Sequence, residues 1–238
     1  MLLNIYLNLI LVYVLSLIIM KIKLNIIKLI LVTVSIGLSD TGSFNISRIQ
    51  YSGGGDWYAN RSSLPNLLDF VKSNTSINVN KEEIQVKIGD DLFYKNKFFY
   101  ITGHGNIKFN PEETVILRNH LLNGAFLHVD DNYGLDKSFR ETVKNLFPEK
   151  ELSLLPKSHE LFHCYYSFPD GLPKVHEHDN KPPEALGIFD QERLILLYTY
   201  ESDLGDGWED KNVHNDPENI RQEALKMGTN IIIYSLIQ

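Results

Sequence analysis

Two short apolar runs limit the folds open to this chain more than any other feature. Phe98 to Thr102 reads FFYIT and Ala125 to Val129 reads AFLHV, both apolar without a period-two alternation. A strand of that kind has no face to offer water, so it belongs inside a sheet covered on both sides. Both runs stop abruptly, the first at Gly103-His104-Gly105 and the second at Asp130-Asp131-Asn132-Tyr133-Gly134. Between them Pro111-Glu112-Glu113 opens a helix, with proline in the first turn and acids at the positive end of the dipole. Its apolar spacing continues to Leu122, and Asn123-Gly124 ends it.

The rest of the chain repeats this rhythm. Ile46 to Tyr51 is a β-branched run that ends at Ser52-Gly53-Gly54-Gly55, and Leu64, Leu67, Leu68 and Val71 then show helical spacing. Ile84 to Ile88 reads as another strand and Ser138 to Leu146 as another helix. Strand and helix in alternation imply right-handed crossovers and a parallel sheet. Later the pattern changes: Ala185 to Phe189 and Arg193 to Tyr200, separated by Asp190-Gln191-Glu192, look like an antiparallel hairpin. Asp216-Pro217-Glu218 starts a helix that runs through Met227, and Ile231 to Leu236 closes the chain as a strand or a docked helix end. The expected fold is α/β, a three-layer flavodoxin-like, mostly parallel sheet with a β-hairpin elaboration.

Residues 1–39 stand apart from a single domain over 40–238. Met1 to Met20 is uncharged and predominantly apolar, about the ~20 residues that span a bilayer as a helix. From Met20 onward a basic segment, an apolar stretch and the small residues before Asp40 form a secretory signal. The segment is therefore a signal peptide with the true start at Met20, or a membrane anchor. Either places the domain outside the cytoplasm, in the periplasm or cell envelope, or on a membrane. From Asp40 onward 30 acids face 20 bases, a balance that repels phosphate backbones and excludes nucleic acid as a partner. Cys164 is the sole cysteine, so no internal disulfide forms, and its apolar flanks read as a buried thiol rather than a nucleophile.

Open parallel sheets bind ligands beyond the carboxyl ends of their strands, near the point where strand order reverses. Three loops would converge there: Gly53, Gly54, Gly55, Asp56, Trp57 and Tyr58 after the first strand; Gly103, His104 and Gly105 after FFYIT; Asp130, Asp131, Asn132 and Tyr133 after AFLHV. The triple glycine is either a tight turn or a loop that lets backbone N–H groups approach an anion. His104, between glycines, is either aimed at solvent or caps the next loop. Asp130 and Asp131 follow an apolar strand, so their charges need water, a cation or hydrogen-bond donors. They suit a hard metal ion, a general base or a helix cap. His176 and His178 point the same way if the segment is extended, a workable transition-metal geometry, or they lie in a plain surface loop. Asp203, Asp206 and Asp210, interspersed with glycines, resemble calcium loops without the twelve-residue register. His163, beside aromatics, reads as a satisfied core residue.

The strings YSGGGDWY, TGHG, GAFLHVDDNYG, FHCYYSFPDGLPKVHEHD, YTYESDLGDGWED, VHNDPE and MGTNIIIYSL resemble the bacterial DUF4159 family, a domain of unknown function. The likeness runs from about Arg48 to the end. It implies membership of the class I glutamine amidotransferase-like fold group, near the ThuA-like proteins, and a domain often preceded by a signal peptide or found in larger membrane proteins. Amidotransferases of that fold carry a nucleophilic cysteine on a sharp elbow flanked by glycines. The corresponding place here holds Asp130 to Gly134, without a cysteine or serine, so glutaminase chemistry is not expected.

The leading expectation is a domain that binds a small polar or carbohydrate-like ligand at the rim of the sheet. Trp57, Tyr58, Tyr133 and Trp208 would supply flat apolar contact, and Asp56, His104, Asp130 and Asp131 the hydrogen bonds. A second is a metal-assisted hydrolase or isomerase. In it His128, His176, His178, Asp203 or Asp206 would hold a divalent metal, and Asp131 or His104 would be the base. A third is a structural partner in a membrane assembly, its polar cluster merely fastening loops.

Overall fold

The computed structural model describes residues 42–238. The expectations for residues 1–39 lie outside these residues; among the described residues no helix is long and apolar enough to cross a membrane.

Seven strands form one sheet: β1 (Ser47–Ile49), β2 (Ile84–Val86), β3 (Phe98–Ile101), β4 (Phe126–Asp130), β5 (Ser153–Leu154), β6 (Glu184–Asp190) and β7 (Arg193–Tyr200). Their order is β2-β1-β3-β4-β7-β6-β5. The first five in that order run parallel, β6 runs antiparallel to β7, and β5 runs antiparallel to β6. The order is that of a flavodoxin-like sheet, with the second strand of the hairpin taking the fifth parallel place. Strand order reverses between β1 and β3, which opens a crevice there.

Among the described residues seven α-helices connect or flank the strands: α1 (Ser63–Asn74), α2 (Asp91–Lys95), α3 (Pro111–Leu122), α4 (Asp136–Leu146), α5 (Leu204–Trp208), α6 (Lys211–His214) and α7 (Glu218–Ile237). α3 starts at Pro111 as its sequence implies, and a capping box adds to that start: Asn110 Oδ1 accepts from Glu113 N at 2.9 Å, and Glu113 Oε2 accepts from Asn110 N at 2.8 Å. On α1 the residues at helical spacing, Leu64, Leu67, Leu68 and Val71, are the apolar ones that it buries.

The β3 run shows why alternation is missing from its sequence. Phe98 and Tyr100 enter a core under α1, α5 and α7, while Phe99 and Ile101 enter the opposite core under α3 and α4. All four are buried, so each face of the sheet carries its own apolar layer and the fold has three layers.

Two stretches take definite form. Ile231 to Leu236 is the docked helix end and not a strand, because α7 continues unbroken through Met227 to Ile237. Ile231 and Ile232 are buried in the core shared with α1, and that packing selects helix over the strand that β-branched residues favour in isolation. The acidic stretch after β7 is not open loop either. Leu204 to Trp208 folds into α5, every residue of it buried.

Candidate functional site

At the crevice between β1 and β3 the two following loops pair with each other. Ser52 and Lys108 form an antiparallel bridge, Gly55 N donates to Asn106 O at 2.9 Å, and Asp56 N donates to His104 O at 3.3 Å. Glycine is required for this approach: a Cβ on Gly55 would sit 2.7 Å from His104 O, and one on Gly103 would sit 2.8 Å from Asp56 O. Gly103 also has φ +135°, a conformation closed to most side chains.

The result is a clamp on one histidine. Asp56 Oδ1 accepts from His104 N, and Asp56 Oδ2 lies 3.0 Å from His104 Nδ1. A carboxylate only accepts, so Nδ1 is the protonated nitrogen. The ring is 54 % exposed, and Nε2 has no hydrogen-bond partner among the described residues. Next in the chain, Trp57 and Tyr58 pack edge to face at 5.6 Å. On the β2 side of β1 they line, with Arg61, Glu82 and Gln85, a cleft of about 530 Å³ whose lining does not include His104, within the range of small-molecule sites. Buried Arg48 holds this loop from beneath, donating to Ala59 O at 2.8 Å and Asn60 O at 3.2 Å while paired with Glu83 at 2.8 Å.

Several expected ligand contacts are instead structural. Trp208 is fully buried, its indole N–H donating to Ala224 O at 2.8 Å, so it offers no face to a ligand. Asp130 is buried and spent: Oδ2 accepts from Gly205 N at 2.7 Å and Oδ1 from Thr199 Oγ1 at 2.5 Å. Asp131 Oδ1 accepts from Leu135 N at 3.0 Å. Burial pushes both carboxyls up, Asp131 to about 6. Asn132 exchanges amide hydrogen bonds with Asn60 at 3.0 and 3.2 Å. His128 cannot ligate metal at this rim, because it is buried between Tyr100 and Trp208 with Nε2 on Thr199 Oγ1 at 3.0 Å. Burial pushes its pKa down to about 3. His163 is exposed rather than core, its Nε2 donating to Lys157 O at 2.8 Å.

The other candidates do meet. His176 Nδ1 lies 3.1 Å from Asp206 Oδ2 and 3.6 Å from Asp203 Oδ2, and its Nε2 lies 2.9 Å from Asp216 Oδ1. His178 Nε2 also contacts Asp203 Oδ2, and the His178 ring stacks on Tyr133 at 4.6 Å. Hydrogen bonds that His176 donates to Asp203 and Asp206, with Asp216 behind them, push it up to about 11. Burial pushes Asp206 up, but His176 and His214 outweigh it and hold the carboxyl below its ordinary value. Asn60 Nδ2 donates to Asp206 Oδ1 at 2.7 Å, tying the β1 loop to α5.

Three members of this cluster lay beyond the reach of the sequence: His214, Glu209 and Asp216. His214 Nε2 is 2.9 Å from Glu209 Oε2 and 3.7 Å from Asp206 Oδ2. The available signal was VHNDPE, a histidine and an aspartate beside a helix start, but nothing local linked it to His176. His176, Asp206 and His214 are the residues whose ligating atoms could share one metal ion. Backbone strain collects here too, since Asn60, Tyr133, Glu201 and Asp203 all adopt positive φ between 55° and 71°, unusual for residues other than glycine.

A family model described as a domain of unknown function, DUF4159, matches residues 45–236, which is nearly the whole of the described sheet and its helices. No curated protein matches the chain. The matched span includes the clamp on His104 and every residue of the His176 cluster, and the chain belongs to the DUF4159 family.

Proposed function

We propose that the domain binds a small, hydroxyl-rich polar ligand at the β1/β3 crevice and that His104, oriented by Asp56, exchanges a proton with it. The observation that carries this reading is the clamp itself. Two glycine loops pack backbone on backbone to hold a carboxylate against Nδ1, which leaves Nε2 turned outward at the place where such sheets bind ligands. A histidine held this way is suited to general acid–base work. Trp57 and Tyr58, next in the chain after Asp56, supply the flat apolar faces that sugar-like rings pack on.

The strand order supports a place in the class I glutamine amidotransferase-like group, near the ThuA-like proteins, without amidotransferase chemistry. The turn from β4 to α4 holds Asp131, Asn132, Tyr133 and Gly134, none of them a nucleophile for a carboxamide. Cys164 does not replace one: burial pushes its thiol up to about 11, the wrong direction for attack. Residues 1–39 support placing the domain in the cell envelope, or anchored to a membrane beside an envelope partner.

Calorimetric and thermal-shift screens of the chain against monosaccharides and small hydroxy acids test this. Because His104 and Tyr58 are more than half exposed, His104→Ala and Tyr58→Ala should change unliganded stability by no more than about 0.5 kcal/mol while removing the ligand response. A response that survives both substitutions refutes the site.

A further inference from the structure

We propose that His176, Asp206 and His214 form a binding site for a divalent transition-metal ion on the rim beyond β7. The site goes beyond the His104 reading and shares no residue with it.

Ligand geometry comes first. His176 presents Nδ1 to Asp206 Oδ2 at 3.1 Å, and His214 Nε2 lies 3.7 Å from the same oxygen. A tetrahedral ion with bonds of about 2.1 Å holds its ligand atoms about 3.4 Å apart, and the two spacings bracket that value. All three donor atoms lie within 4.8 Å of one another.

The atoms behind these ligands are arranged for the same purpose. His176 has its second nitrogen on Asp216 Oδ1 at 2.9 Å, the carboxylate–histidine pairing that fixes the tautomer of a ligating imidazole. Asp206 has its second oxygen on the Asn60 amide at 2.7 Å, which leaves Oδ2 for the ion. Glu209 Oε2 lies 2.9 Å from His214 Nε2, beside the ligand set as a further oxygen for the coordination.

An independent observation points to something bound. Asp203, only 1 % exposed, places Oδ2 against both His176 and His178, yet its buried Oδ1 has no hydrogen-bond partner. A buried carboxylate oxygen without a donor is costly. A water on the ion would supply the missing proton donor and would be held by Asp203. Loop fastening alone explains the ion pairs but leaves this oxygen unsatisfied. Two imidazoles with a carboxylate favour zinc, iron, cobalt or manganese; calcium and magnesium prefer oxygen ligands throughout.

The test uses the full chain, stripped with EDTA and titrated with zinc chloride by calorimetry and with cobalt(II) chloride by visible absorption. The expected result is one equivalent of zinc, a higher melting temperature with zinc, and tetrahedral ligand-field bands with cobalt. Asp216→Asn keeps all three ligands and should weaken zinc binding about 10–100-fold. His214→Ala, at the surface on the short α6, should lose the one-equivalent step while the metal-free chain melts as before. His104→Ala should bind zinc like the unaltered chain. No zinc uptake by the unaltered chain overturns the proposal, and so does a one-equivalent step that persists in His214→Ala.

Discussion

His128 makes a quantitative prediction about acid stability. Its imidazole is 1 % exposed, lies 5.4 Å from the Tyr100 ring and 5.9 Å from the Trp208 ring, and has its pKa pushed by burial from 6.5 down to about 3. A base whose folded pKa is depressed adds stability that is fully present above the unfolded value, near 6.5. That stability is lost as pH falls from there toward the folded value. At pH 4.5 the unfolded chain has bound a proton that the folded chain refuses, which costs about 3 kcal/mol relative to pH 7. Burial raises Asp130 and Asp131 and works in the opposite direction, so the contribution must be read as a difference. His128→Gln keeps an amide within reach of Thr199 Oγ1 and removes the titration. It should be less stable than the unaltered chain at pH 7, by about 1–2 kcal/mol for lost packing. At pH 4.5 it should be the more stable of the two. Urea unfolding followed by fluorescence of buried Trp208 at both pH values measures this. Parallel behaviour, with the same gap at pH 7 and pH 4.5 to within about 0.5 kcal/mol, would refute a buried neutral imidazole.

Other substitutions probe the supports of the rim. A Cβ on Gly205 would lie 2.6 Å from Asn60 Nδ2, 2.7 Å from Tyr100 Oη and 3.1 Å from Asp130 Oδ2. Gly205→Ala should therefore cost about 1–3 kcal/mol in thermal melts, and an unchanged melting temperature would contradict the packing described. Arg48→Met strands Glu83 and three loop carbonyls and should cost about 3–5 kcal/mol in urea. Asn230 holds Leu161 O, Tyr166 O and Tyr166 N at 2.8–3.0 Å. Asn230→Ala should destabilise by about 2–3 kcal/mol, with faster amide exchange at Tyr166.

Much of the frame was legible because periodicity is local. FFYIT and AFLHV announced central strands covered on both faces, and Pro111-Glu112-Glu113 announced α3. The hairpin after Glu184 showed in its two runs and the acidic turn between them. The carboxyl ends of those strands named Asp56 and His104, which the structure brings into contact. Asp130 and Trp208 failed for one shared reason: both are polar or aromatic in composition, but burial is a property of neighbours. Asp130 is enclosed by Thr199 and Gly205, about seventy residues downstream, and Trp208 by α7.

The sequence alone determined the class of fold, a parallel sheet between helical layers, because strand and helix periods are written into consecutive residues. The register of the sheet, the continuation of α7 through its β-branched end, and the meeting of His176 with Asp206, Asp216 and His214 were decided only by the tertiary structure. Those residues lie up to 40 positions apart in the chain. No local spacing encodes their distance in space, and only the packing of α5 and α7 against the sheet brings them together.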